Sequence, residues 1–92
     1  MSGSIRYDVA FTGRVQGVFF RATAERLARG FDVAGWVRNE PDGSVRLVAE
    51  GRRDELDRFL NAIQQAKRSN IDEARITEVE ATGQFDGFSV RP

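Results

Sequence analysis

The chain has no cysteine and no histidine. Without histidine there is no phosphohistidine intermediate, no imidazole base and no imidazole metal ligand. Without cysteine there is no thiolate nucleophile, no disulfide and no sulfur-ligated metal. A mononuclear zinc site would have to be built from carboxylates alone, which is not how such sites are made; no metal and no cofactor are expected. No apolar run approaches the ~20 residues of a membrane span, so no membrane partner is expected. Met1-Ser2-Gly3-Ser4 lacks the charged-then-apolar pattern of a secretion signal, and the cytoplasm is the expected location. There is also no excess of charge. Fourteen Lys and Arg balance fourteen Asp and Glu, which argues against electrostatic capture of bulk nucleic acid. Neither G-x-G-x-x-G nor a glycine-rich loop ending in Gly-Lys-Ser/Thr is found. Arg29-Gly30-Phe31-Asp32 starts like the signature of an RNA-recognition module but diverges at its fourth residue, and it precedes the wrong strand. What remains is chemistry by positioning and electrostatics, with a carboxylate or hydroxyl at most.

What is present is an ordinary globular composition, 40% apolar and 30% charged over 92 residues, which predicts one domain spanning residues 1–92 with residues 1–4 as a disordered tail. A monomer is expected. Ile5, Tyr7, Val9 and Phe11 alternate with polar or small residues and predict a strand with one buried face. Gly13 to Phe19 read as a loop. Arg21 to Arg29 read as a helix closed by Gly30. Val33 to Asn39 form a second strand centred on Trp36. A turn follows at Glu40-Pro41-Asp42-Gly43. Val45, Leu47 and Ala49 mark a third strand that Gly51 breaks. Arg52 to Lys67 carry an apolar stripe at helical spacing, with Asp54 and Glu55 at the start and Lys67 and Arg68 at the end. Arg75 to Thr82 predict a fourth strand, with Val79 and Ala81 inward, and Phe88 and Val90 a short last one. The order βαββαβ with an extra C-terminal strand predicts an α+β fold. It is the ferredoxin-like α/β sandwich, two helices on one face of a mostly antiparallel sheet. That fold hosts many unrelated activities and decides none of them. Trp36 and the phenylalanines are assigned to the core, except that Phe19 and Phe20 are adjacent and cannot both face inward.

The stretch Gly13-Arg14-Val15-Gln16-Gly17-Val18-Phe19-Phe20-Arg21 carries the candidate chemistry. Arg21 falls in the first turn of a helix, where the dipole disfavours a cation by ~0.3–1 kcal/mol. Free N–H groups at a helix start, a permissive Gly17 and a guanidinium that grips two oxygens would together make an anion cradle. A solvated arginine beside a glycine turn is the competing reading, and the residues alone leave both open. Asn39 ends the second strand just before a turn, a place where asparagine ordinarily caps its own backbone. Asp8, Glu78 and Glu80 are expected on exposed strand faces, and Asp54, Glu55 and Asp57 at a solvated helix start, so no acid–base pair is assigned.

Gly13 to Arg21, followed by Gly35-Trp36-Val37-Arg38-Asn39-Glu40-Pro41-Asp42-Gly43-Ser44-Val45 and then Glu50-Gly51, resembles the acylphosphatases. The resemblance runs clearly from about Tyr7 to Gly51 and more weakly to Phe88-Ser89-Val90. It implies a small metal-independent domain that hydrolyses the carboxyl–phosphate bond of acylphosphates. It places the catalytic arginine on Arg21 and the catalytic asparagine on Asn39. The phosphate-binding backbone falls on Gln16, Gly17, Val18, Phe19 and Phe20, with Arg21. Inorganic phosphate would be product and competitive inhibitor. A carboxylate leaving group needs little help from an acid, so the missing histidine is no handicap; the remaining work is to hold the phosphoryl group and aim a water. A non-catalytic module binding acyl or carbamoyl phosphate is the alternative. One departure is the polar stretch Lys67 to Glu73, expected to form a longer loop than the family's short turn.

Overall fold

The computed structural model describes residues 3–92. Five strands and two helices follow in the order β1 (Ser4–Gly13), α1 (Phe20–Ala28), β2 (Val33–Asn39), β3 (Val45–Arg52), α2 (Arg53–Ala66), β4 (Ile71–Glu80) and β5 (Phe88–Val90). The sheet order is β4-β1-β3-β2-β5. The pairs among β1 to β4 are antiparallel, and β5 lies parallel to β2. This is the ferredoxin-like sandwich that the element order predicts, with β5 added at the β2 edge. No helix among the described residues is long and apolar enough to cross a membrane.

Strand periodicity decides which side chains meet the helices. Tyr7, Val9 and Phe11 of β1, Val37 of β2 and Val45, Leu47 and Ala49 of β3 are buried on the helix side. They meet Phe20, Ala24 and Ala28 of α1 and Leu56, Phe59, Leu60 and Ile63 of α2. Aromatic contacts join the layers: Phe11 and Phe20 at 5.0 Å between ring centroids, and Phe59 and Phe88 edge to face at 5.3 Å. The Phe11–Phe20 contact fixes the start of α1 over the end of β1. Gly35 is required where it stands. At φ +153° a Cβ would lie 1.9 Å from the Val48 carbonyl oxygen of the neighbouring strand.

Several sequence expectations are corrected. Trp36 is buried, but not in the helix-side core. Its neighbour Val37 takes that side, so Trp36 lies on the helix-free face under the guanidiniums of Arg91, Arg38 and Arg46, 4.7, 4.8 and 5.6 Å from its ring. Gly51 does not end β3; it pairs with Ile5 on one side and Val33 on the other. The loop expected over Lys67 to Glu73 is only a turn, because β4 already begins at Ile71, and β4 ends at Glu80 rather than Thr82. Val79 does not face inward but is among the exposed large apolar residues, with Ile76. The reason is shared: β4 is an edge strand beside β1, and although Ile71 and Ala74 at its start pack against the core, Ile76 and Val79 farther along are left open. α1 starts at Phe20 and ends at Ala28, one residue earlier at each end than the sequence suggests. Of the tail expected over residues 1–4, Met1 and Ser2 lie outside the described residues, while Ser4 already pairs with Arg52.

Glu50 is the buried carboxylate of the fold. Burial raises its pKa. The backbone N–H groups of Thr82 and Gly83, the Arg6 guanidinium and the Thr82 hydroxyl outweigh that and bring it down to about 2. It ties β3 to β1 and to the segment after β4, on the face away from the helices.

Candidate active site

The loop between β1 and α1 turns into the helix through two residues with positive φ. Gly17 has φ +74° and Phe19 φ +62°, the latter in the left-handed region that bulky side chains rarely adopt. Phe19 is the N-cap of α1, and no side chain caps the helix start; nor does its first turn contain an acidic residue. The Phe19 carbonyl accepts the first helical bond, from Thr23 N–H at 3.0 Å. The remaining N–H groups of the first turn have no side-chain acceptor there, so this end of α1 presents donors and the positive end of the dipole to the space in front of it.

Two long-range contacts hold the loop. Gln16 donates from Nε2 to the carbonyls of Glu40 at 2.8 Å and Ser44 at 2.9 Å, fastening the loop to the β2–β3 turn. From the other side Lys67, at the C-terminal end of α2, donates from Nζ to the Val18 carbonyl at 2.6 Å. That bond turns the Val18 oxygen toward a cation. Arg21 lies in the first turn of α1, with Nη1 3.3 Å from the Arg91 carbonyl just past β5.

Asn39 reaches the same place by strand parity. It is two residues beyond Val37, so it faces the helix side, but at the end of β2 where the core gives way to the α1 N-terminus. The turn after it has its own cap. The Asp42 carboxylate accepts from the Ser44 N–H at 2.9 Å and the Ser44 hydroxyl at 2.6 Å, and these bonds hold its pKa below the ordinary value. Asn39 therefore does not serve the turn, and its carboxamide forms no hydrogen bond among the described residues.

Gly17, Phe19, Phe20, Arg21 and Asn39 line one cavity of about 380 Å³, together with Val15, Ala22, Glu25 and Val90. Five of the seven residues that the sequence points to thus share one space. Gln16 and Val18 do not line it; they support the loop from behind, through the Glu40 and Ser44 carbonyls and the Lys67 ammonium. No group of three or more His, Cys, Asp or Glu side chains able to hold a metal ion is found among the described residues. The arrangement offers a guanidinium, a row of backbone donors and a neutral amide around one concave space. It is suited to a tetrahedral oxyanion with a further polar group beside it. Lys67 and Glu25 carry no local signal for these positions. Lys67 reads as the cation ending a helix, and Glu25 as half of a surface pair with Arg29. Their placement depends on contacts 49 residues apart in one case and on the direction α1 faces in the other.

The chain matches the acylphosphatase family model over residues 7–90. It is 46% identical to an acylphosphatase of Salinibacter ruber over 87 residues, 94% of this chain and 92% of that one. It is 42% identical to one of Methylococcus capsulatus over 89 residues, 92% and 94% of the two chains. Among solved structures it resembles the acylphosphatase of Bacillus subtilis, with a TM-score of 0.88 and 32% identity over 96% of this chain and 99% of that one. It also resembles HypF of T. kodakarensis, TM-score 0.82 and 27% identity, where 96% of this chain corresponds to 12% of a much longer protein.

Proposed function

The chain belongs to the acylphosphatase family and is an enzyme that hydrolyses acylphosphates, and we propose that it does so with Arg21, Asn39 and the loop of Gln16 to Phe20. Arg21 and the loop N–H groups bind the phosphoryl oxygens. A guanidinium and fixed dipoles suit the spread charge of phosphoryl transfer, where positioning and electrostatic stabilisation do most of the catalysis. Asn39, whose amide both donates and accepts, orients a water in line with the leaving oxygen. The water oxygen bonds to phosphorus as the bond from phosphorus to the acyl oxygen breaks. The electron pair leaves on the carboxylate, and both protons of the water end on the product phosphate. A carboxylate is a weak base, so no general acid is required.

The observation that carries this reading is the convergence of Gly17, Phe19, Phe20, Arg21 and Asn39 on one cavity, with the Asn39 carboxamide left free by the Asp42 cap. Inorganic phosphate fits the same donors and is assigned as product and competitive inhibitor. One chain supplies every group, in keeping with a monomer. We propose a cytoplasmic location as well, which cell fractionation followed by assay of each fraction tests. The test is turnover of benzoyl phosphate and of carbamoyl phosphate with excess chelator present. Phosphate release with EDTA supports metal-free hydrolysis. Tight binding of either compound without turnover would instead indicate the non-catalytic module.

A further inference from the structure

We propose that Phe19 and Glu25 form the acyl half of the cavity and select acylphosphates whose acyl group is apolar and uncharged. The inference rests on the proposed seat of the phosphoryl group at Arg21. Phe19 is 82% exposed, whereas Phe11, Phe20 and Phe59 are fully buried. It also stands at φ +62°, a conformation unfavourable for a bulky residue. No aromatic or cationic partner meets its ring among the described residues. Two unfavourable features at one residue, on the rim of the one cavity that holds Arg21 and Asn39, point to a role in that cavity rather than in the fold.

Once the donors take the phosphoryl oxygens, the lining left for the acyl group is Val15, Phe19, Ala22 and Val90, together with Glu25. Glu25 is one helical turn from Arg21 on the same side of α1 and forms no ion pair among the described residues. Arg21 is the one cation of that lining and is engaged by the phosphoryl group. A second carboxylate on the acyl group would meet Glu25 with no compensating charge. A flat apolar acyl group would meet the Phe19 ring, which gains contact area at little loss of freedom. Affinity for this remote part of the substrate is available to the reaction only when it is held in the transition state.

The test uses ratios of kcat/KM for benzoyl, acetyl and succinyl phosphate, because a ratio cancels damage to the shared phosphate cradle. Phe19→Ala should lower the benzoyl-to-acetyl ratio about tenfold, and Phe19→Leu by less. Phe19→Gly, whose backbone accepts positive φ freely, should show the same loss as Phe19→Ala and guards against a folding defect. Glu25→Gln should raise the succinyl-to-acetyl ratio about threefold, and the gain should shrink in high salt. Benzoyl-to-acetyl ratios that stay at the wild-type value in all three Phe19 variants would overturn the proposal. If the wild-type chain releases phosphate from none of the three compounds, the catalytic reading fails and the acyl subsite with it. Activity on acetyl phosphate with unmoved ratios removes the subsite alone.

Discussion

Arginine in the first turn of a helix is misplaced by the rules of helix stability, and the proposed phosphate cradle gives Arg21 a reason to stand there. Its guanidinium sits among uncapped donors on a cavity, held by a single 3.3 Å bond to the Arg91 carbonyl. Arg21→Lys should be nearly as damaging as Arg21→Ala, because lysine offers one hydrated point charge in place of a planar fork. Neither variant should lose stability: Arg21→Ala removes a cation from this helix end and relieves ~0.3–1 kcal/mol, and Arg21→Lys keeps the charge and leaves the helix as it is. Steady-state kinetics beside urea unfolding check both halves, and a lysine variant with most of the wild-type rate would reduce Arg21 to a simple charge. Asn39 makes the complementary case. If it orients water and touches the bound phosphoryl group little, Asn39→Ala should lower kcat on the order of 10²–10³. KM and the phosphate inhibition constant should stay near wild type. A residue serving only the strand end would instead cost about 1 kcal/mol of stability and leave kcat per folded molecule intact. The Asp42 cap, which relieves Asn39 of that duty, is the reason to expect the first outcome.

At the scale of elements, the site is where a strand-to-helix loop is pinned by its neighbours. Gln16 ties it to the β2–β3 turn, and Lys67 ties it to the end of α2. Lys67→Met should leave Val18 without its charged donor and let the loop relax. We expect KM and the phosphate inhibition constant to weaken about tenfold, within the range for a hydrogen bond to a charged group, with a smaller effect on kcat. Unchanged phosphate inhibition would show that the loop holds its shape without Lys67. The range of the forces involved decides how much of this is legible in the sequence. β1 and α2 are readable because each buries one clean face and so writes a period into the chain; β2 buries Trp36 on one face and Val37 on the other, so it reads as a strand but its facing does not. The bounds of β4 are not readable, because it lies at the sheet edge with Ile76 and Val79 exposed, and an unsealed strand need not alternate. Gly51 reads as a breaker but sits inside the central strand, where a Cβ would come within 2.7 Å of the Asp32 carbonyl oxygen. Local signals suffice for the Gly17 turn and for the oddity of Arg21. The roles of Gln16 and Lys67 are set by partners 24 to 49 residues away, which no local pattern records.

At the scale of the whole molecule, the site draws on distant parts of a small chain that has no disulfide to hold it. Arg21 follows β1, Asn39 ends β2, Val90 ends β5, and Lys67 leaves α2. A domain of this size buries a modest core, so a ligand that bridges these parts should contribute visibly to its stability. Binding to the folded state alone adds about 2.7 kcal/mol at a hundred times the dissociation constant. For a domain of this length each kcal/mol moves Tm by about 4–8 °C, so saturating inorganic phosphate should raise Tm by roughly 10–20 °C. The shift should be the same with and without EDTA if the positive potential comes from Arg21 and backbone N–H groups rather than from an ion. Arg21→Ala should abolish most of it, because the fork is lost. Asn39→Ala should keep it, because the water-orienting amide is not needed to hold phosphate. That opposite behaviour of two residues lining one cavity separates ground-state binding from chemistry without measuring a rate. Loss of the shift on chelation, restored by Mg²⁺, would mean that an ion completes the cradle. Equal loss in both variants would mean that Asn39 binds phosphate directly and that the water is aimed by something else.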